Sequence, residues 1–218
     1  MHKILKNIEL VVFDLDGVLV ESESSWQALH DAFGVDNDEN FQRYLRGEID
    51  YREFMRSDIR LWGNAPREEI VKMLGRVQLT KGAKEAIKKL RRAGFKTAII
   101  SSGISLLADR VKDQLGIGRS YANRLLFDED GRLTGEAEEL VTLLNKNDVL
   151  KRLAASEGLE PSECAVVGDS RFDAAMFKEA GFSIAFNPKD ELVREAADSV
   201  VEERDLSAIL LFIEALPG

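Results

Sequence analysis

The sequence is short of several things at once. It has one cysteine, four prolines and two histidines in 218 residues. A single cysteine excludes an internal disulfide, and Cys164 lies in the apolar run Cys164-Ala165-Val166-Val167, where a buried thiol in a reducing compartment is expected. Four prolines and 16 glycines, with no internal repeat or low-complexity stretch, exclude a long disordered linker. No apolar run is long enough to span a bilayer, and Lys3 and Lys6 precede no segment of signal-peptide length, so a cytoplasmic protein is expected. Positive charge is scarce as well. The 30 Lys plus Arg face 39 Asp plus Glu, and the net charge of -9 repels nucleic-acid backbones and anionic membranes.

What is present is material for a packed interior, 44% hydrophobic, enough for one α/β core with or without a small second domain. Short runs rich in Val, Ile and Phe at Ile8–Phe13, Phe95–Ile100, Cys164–Val167, Phe182–Phe186 and Ser199–Val201 read as buried strands. Helical stripes separate them, carried by Ala86, Ile87 and Leu90, by Leu107, Val111 and Leu115, by Val149, Leu150 and Leu153, and by Leu206, Ile209 and Ile213. Such alternation predicts a mostly parallel sheet with helices on both faces. Tyr121–Val141, with Asp130-Gly131 at its middle, reads as a further strand and a hairpin-like excursion.

The first strand is not followed promptly by its crossover helix. Residues 22–78 intervene, bearing helical stripes of their own: Trp26, Leu29 and Phe33; Tyr51, Phe54, Met55 and Ile59; Ile70, Val71 and Leu74. Gly63 and Pro66 punctuate them. The expected organisation is an α/β core of residues 1–21 and 79–218 with a small helical cap at 22–78, whose aromatic stripe forms the cap's own core.

In an open parallel sheet, ligands bind beyond the carboxyl ends of the strands. There the runs end in Asp14-Leu15-Asp16-Gly17, Ser101-Ser102-Gly103 and Gly168-Asp169-Ser170, and Lys146 opens a helix. Each is unremarkable alone, as a turn, a loop, a helix cap or a solvated charge. Together they supply what phosphoryl transfer to a carboxylate needs. Asp14 can attack phosphorus. Asp14, Asp169 and a backbone carbonyl near Asp16 can hold a hard cation, for which Mg2+ is the natural choice. Ser101 and Lys146 can neutralise phosphoryl oxygens, and Asp16 can protonate the leaving alkoxide and then activate water.

At these residues the sequence resembles the haloacid dehalogenase superfamily, within it the phosphoserine phosphatase-like branch. The resemblance rests on Asp14-Leu15-Asp16-Gly17-Val18-Leu19-Val20, on Ile99-Ile100-Ser101-Ser102-Gly103, on Lys146 and on Gly168-Asp169-Ser170-Arg171-Phe172-Asp173. It implies a Rossmann-like core with a cap after the first motif and a phosphatase acting on a small phosphorylated metabolite through an aspartyl-phosphate. It assigns Asp14 as nucleophile, Asp16 as acid/base, Asp169 as metal ligand, Ser101, the Ser102 amide and Lys146 as phosphate contacts, and Asp173 as a supporting partner. Glu23 corresponds to the cap glutamate that meets the substrate amino group.

Two positions depart from the branch. The cap arginine that grips the substrate carboxylate falls on Asp58, and Phe172 replaces an asparagine. Asp58 is either a solvated surface acid or, with Glu23, half of an acidic pair for an amine-bearing substrate without a carboxylate. A true phosphoserine phosphatase and a phosphotransferase or mutase stay open, as does the oligomeric state. A receiver-like domain or a non-catalytic binding module fits less well, since the catalytic set is complete. His2 and His30 are not candidate bases or ligands. Asp36–Glu39 reads as a turn and helix start, and Glu136–Glu139 as a solvated acidic face.

Overall fold

A computed structural model describes residues 7–213; His2, Lys3 and Lys6 lie outside the described residues. The first apolar run forms β1 (Leu10–Phe13). Four helices follow: α1 (Ser25–Phe33), α2 (Asp38–Leu45), α3 (Tyr51–Leu61) and α4 (Arg67–Leu74). The crossover helix α5 (Ala83–Arg92) then leads into β2 (Lys96–Ile104), which runs four residues beyond the expected end. After α6 (Ser105–Leu115) come β3 (Arg119–Phe127) and β4 (Leu133–Glu138), then α7 (Lys146–Ser156), β5 (Cys164–Gly168), α8 (Ala174–Glu179) and β6 (Phe182–Phe186). The chain continues through α9 (Glu191–Ala196) and β7 (Ser199–Val201) to α10 (Leu210–Ile213).

The sheet has the order β4-β3-β2-β1-β5-β6-β7, parallel except for the β3–β4 hairpin at one edge. Residues alternate between its two faces, as the pleat requires. Val11 and Phe13 pack into the core on one side with α5 and α6, whereas Leu10 and Val12 pack on the other with Val149, Leu153 and Phe177. Burial of such side chains contributes roughly 1.5–3 kcal/mol each, so a one-residue slip of β1 from its register with Lys96 and Cys164 would misplace all four.

The insert leaves and re-enters the core at one place. Glu21 N–H donates to Gln78 O at 3.0 Å and Thr80 N–H to Leu19 O at 2.9 Å. Local signals start its helices: the Ser24 side chain accepts from Gln27 N–H at α1, and the Asp50 side chain from Glu53 N–H at α3. Rings fill its interior, with Trp26 stacked on Trp62 at 5.6 Å and Tyr44 on Phe54 at 5.6 Å. It also docks on the hairpin. Arg56 Nε meets Glu136 Oε2 at 2.8 Å, and Leu133 N–H donates to Ala65 O at 3.0 Å. Glu136–Glu139 is therefore not a plain solvated face: Glu136 anchors α3, and Glu138 pairs with Arg124.

Candidate active site

The chain runs from β1 outward through β2 and β3, then returns to β5 on the other side of β1. That reversal opens a crevice beyond the carboxyl end of β1, flanked by the ends of β2 and β5. Asp14 and Asp169 directly follow β1 and β5, Ser101 lies in β2 just beyond its pairing with β1, and all three are buried.

Lys146, at the start of α7, joins the loops. Its Nζ lies 2.9 Å from Asp14 Oδ2 and 2.7 Å from Asp173 Oδ1, and all three side chains are below a tenth exposed. Burial works against its charge, but Asp14 and Asp173 outweigh burial and hold the pKa above the usual lysine value. Asp14 shows the opposite balance. Burial raises its pKa well above the ordinary carboxylate range against the pull of Lys146, and Asp173 and Asp169 add to the rise. Leu15 N–H donates to Asp14 Oδ1 at 2.7 Å.

Asp173 Oδ2 accepts from the backbone N–H groups of Asp169 and Ser170 at 3.1 and 3.2 Å. It thereby shapes the loop that presents Asp169. Asp169 Oδ2 pairs with Lys189 Nζ at 2.8 Å. Burial raises the Asp169 pKa to about 6 against Lys189. Gly17, at φ 79°, lies over this carboxylate: a Cβ there would sit 1.8 Å from Asp169 Oδ2. That contact explains the glycine that closes Asp-x-Asp-Gly.

Asp16 bonds to the insert rather than to Lys146. Its Oδ2 accepts from the Ser25 hydroxyl of α1 at 3.1 Å, and its buried Oδ1 has no partner. Burial raises its pKa to about 6 against those Ser25 contacts. Ser25 Oγ in turn accepts from Ile104 N–H at 3.0 Å, and Ser101 Oγ from Gly103 N–H at 2.9 Å. A Cβ at Gly103 would lie 2.3 Å from Ser25 Oγ and 2.6 Å from Asp16 Oδ2, so Ser-Ser-Gly also requires its glycine. The Ser102 carbonyl is fixed by three donors, Trp26 Nε1 at 3.0 Å, Tyr51 Oη at 3.0 Å and Asn123 Nδ2 at 2.8 Å.

Asp14, Asp16, Ser101, Lys146, Asp169 and Lys189 line a cavity of about 420 Å³, within the usual span of small-molecule sites. Its far wall comes from the insert and includes Glu23, Trp26, Phe41, Tyr51, Phe54 and Asp58.

Residues 8–181 match the family described as haloacid dehalogenase-like hydrolase. The chain belongs to that family. A phosphoserine phosphatase of Methanocaldococcus jannaschii is 34% identical over 212 residues, 96% of this chain and 99% of that protein. One of Archaeoglobus fulgidus is 35% identical over 199 residues, which make up 90% of this chain and 57% of that longer protein. A solved phosphoserine phosphatase in the form of a phospho-aspartyl intermediate analogue shares 32% of its sequence. It superposes with a TM-score of 0.81 over 95% of this chain and 99% of that one. This haloacid dehalogenase-like hydrolase is thus a phosphatase of the phosphoserine phosphatase-like kind.

Among the described residues of this hydrolase, the acids that converge within 4.8 Å of one another are Asp14, Asp169 and Asp173. Asp173 thus joins the expected pair Asp14 and Asp169, while the Asp16 carboxylate, expected as the acid/base, accepts from Ser25. The three converging buried carboxylates offer the oxygen donors that a hard divalent cation takes.

Glu23 lies on the cavity wall with its side chain exposed, and its carbonyl accepts from Lys189 Nζ at 3.3 Å. The reading of Asp58 as a solvated acid is wrong: it is 1% exposed and bonded to His30. The aromatic stripe serves two purposes, packing the insert while Trp26, Tyr51 and Phe54 face the cavity. The sequence pattern does not single out Ser25, Asn123, Lys189 or His30. Their types are common on helices, strands and loops, and nothing in their spacing marks them.

Proposed function

We propose that the protein is a magnesium-dependent phosphomonoester hydrolase acting on a small phosphorylated metabolite through an aspartyl-phosphate on Asp14. The observation that carries this is the convergence of Asp14, Lys146, Asp173 and Asp169 in one buried charge cluster beside Asp16, whose Oδ1 is unpartnered. Mg2+ held by Asp14 and Asp169, with Asp173 beside them, would supply positive charge for the phosphoryl oxygens and keep Asp14 ionised.

A carboxylate oxygen of Asp14 attacks phosphorus as the bond to the ester oxygen breaks. Asp16, its pKa raised to about 6, gives its proton to that oxygen, and the alcohol leaves. Water then attacks the phosphorus of the aspartyl-phosphate, losing its proton to Asp16, and inorganic phosphate and free Asp14 result. Lys146, Ser101 and the Ser102 amide hold the phosphoryl oxygens. Residues 22–78 act as a cap over a core of 1–21 and 79–218, and Glu23 on the cavity wall is the partner for a substrate amino group. The acidic chain and its reduced cysteine suit a cytoplasmic metabolic setting without nucleic-acid or membrane partners.

A second reading, with phosphoserine itself as the substrate, is supported by the names of the relatives. The test is phosphate release from p-nitrophenyl phosphate and a set of phosphomonoesters with Mg2+. Release abolished by chelator and by Asp14→Asn is expected. No release from any ester overturns the proposal.

A further inference from the structure

We propose that the substrate of this phosphatase is the phosphate ester of a small amino alcohol, carrying an ammonium group and no carboxylate. The inference rests on the hydrolase reading above and assigns the far end of the same cavity. Among the described residues lining that cavity, the cations are Lys146 and Lys189, both at the phosphate end, where they pair with Asp14 and Asp169. The insert contributes none. Its two nearest arginines along α3 are engaged elsewhere, Arg56 with Glu136 and Arg60 with Glu53. It contributes acids instead: Glu23, Asp38 and Asp58.

Asp58 is built into place as an acceptor. Its Oδ1 takes hydrogen bonds from His30 Nε2 at 2.9 Å and from Asn37 Nδ2, while none among the described residues reaches Oδ2. His30 brings no positive charge to it. The Trp62 indole N–H, which can only donate, faces His30 Nδ1 at 3.1 Å, so Nδ1 carries no proton and the single ring proton sits on Nε2. Trp62, a neutral His30 and Asp58 form a chain that presents a carboxylate with an accepting oxygen left over. A substrate carboxylate brought here would meet like charge in a desolvated pocket, whereas an ammonium would find a partner. The rings of Trp26, Phe41, Tyr51 and Phe54 line the same wall, and aromatic faces attract ammonium groups, methylated ones included.

The decisive experiment uses the whole protein with Mg2+ and five esters: p-nitrophenyl phosphate, propyl phosphate, phosphoethanolamine, phosphocholine and phosphoserine. We expect kcat/KM for phosphoethanolamine or phosphocholine to exceed those for phosphoserine and propyl phosphate by about tenfold or more. Phosphoserine equal to or better than both amino-alcohol esters overturns the inference and leaves the hydrolase reading standing, whereas silence toward all five, p-nitrophenyl phosphate included, overturns both. Asp58→Asn keeps the side-chain shape and should lower the ratio of kcat/KM for phosphoethanolamine over propyl phosphate by about tenfold. An unchanged ratio in a variant that melts cooperatively also overturns the inference. If that variant does not fold, the wild-type panel decides alone.

Discussion

The Ser25 hydroxyl, on the first helix of the insert, donates to Asp16 Oδ2 at 3.1 Å and so ties the insert to the acid two residues beyond the nucleophile. The same oxygen accepts from Ile104 N–H at the end of β2. One small side chain therefore holds three segments in register. Ser25→Ala leaves a buried N–H unpaired and Asp16 free to turn. The expected cost is about 1–3 kcal/mol of stability and roughly a tenfold or greater loss of kcat with a smaller change in KM. Urea unfolding and steady-state phosphate release measure the two effects, and an unchanged kcat would show that Asp16 needs no such support.

Lys146 is nearly inaccessible and pairs with two buried carboxylates. Lys146→Met removes one partner of a buried ion cluster, which typically costs about 3–5 kcal/mol. A stability loss well above that of a surface Lys→Met control, together with loss of phosphate release, is expected. A variant as stable as the parent would mean that Asp14 and Asp173 do not depend on the ammonium.

The three carboxylates that converge within 4.8 Å are only partly offset by Lys146 and Lys189, and a divalent cation would offset the remaining negative charge. At about 100 times its Kd, a ligand bound only by the folded state adds roughly 2.7 kcal/mol, which at this chain length raises Tm by about 5–10 °C. Mg2+ should give such a rise, EDTA should reverse it, and Asp169→Asn should abolish it. Equal Mg2+ responses in parent and variant would place the ion elsewhere.

Burial pushes the Cys164 thiol up to about 12 from an ordinary value near 9.0. The native thiol thus stays protonated at pH 8 and should resist a thiol-specific reagent that labels the denatured chain at once. Because the folded-state value is the higher one, the stabilising contribution is complete below pH 9. It falls away between pH 9 and 12, where the unfolded chain alone releases the proton. Rapid native labelling at pH 8 would contradict this burial.

The strands were legible because each is a short Val- and Ile-rich run that a buried parallel sheet demands, and β6 and β7 form at the expected residues. The hairpin followed from Asp130-Gly131, whose turn is closed by Gly131 N–H to Asp128 O at 3.0 Å. Asp14, Ser101 and Asp169 stand out at the polar ends of those runs, and Lys146 at the start of a helix. Asp58 does not stand out, since an acid on an amphipathic helix ordinarily faces water. Only the approach of α1 and the Asn37 turn to α3 surrounds it with donors.

Periodicity and turn chemistry act over a few neighbouring residues, and they suffice for the parallel α/β core, the place of the insert and the residues at the carboxyl ends of the strands. The tertiary structure decided which side chains face each other across long separations: Ser25 with Asp16 and Ile104, Lys146 with Asp14 and Asp173, Trp62 with His30. Such pairs arise from the packing of whole elements against one another, and a polar residue's type says nothing about which distant partner that packing will bring to it.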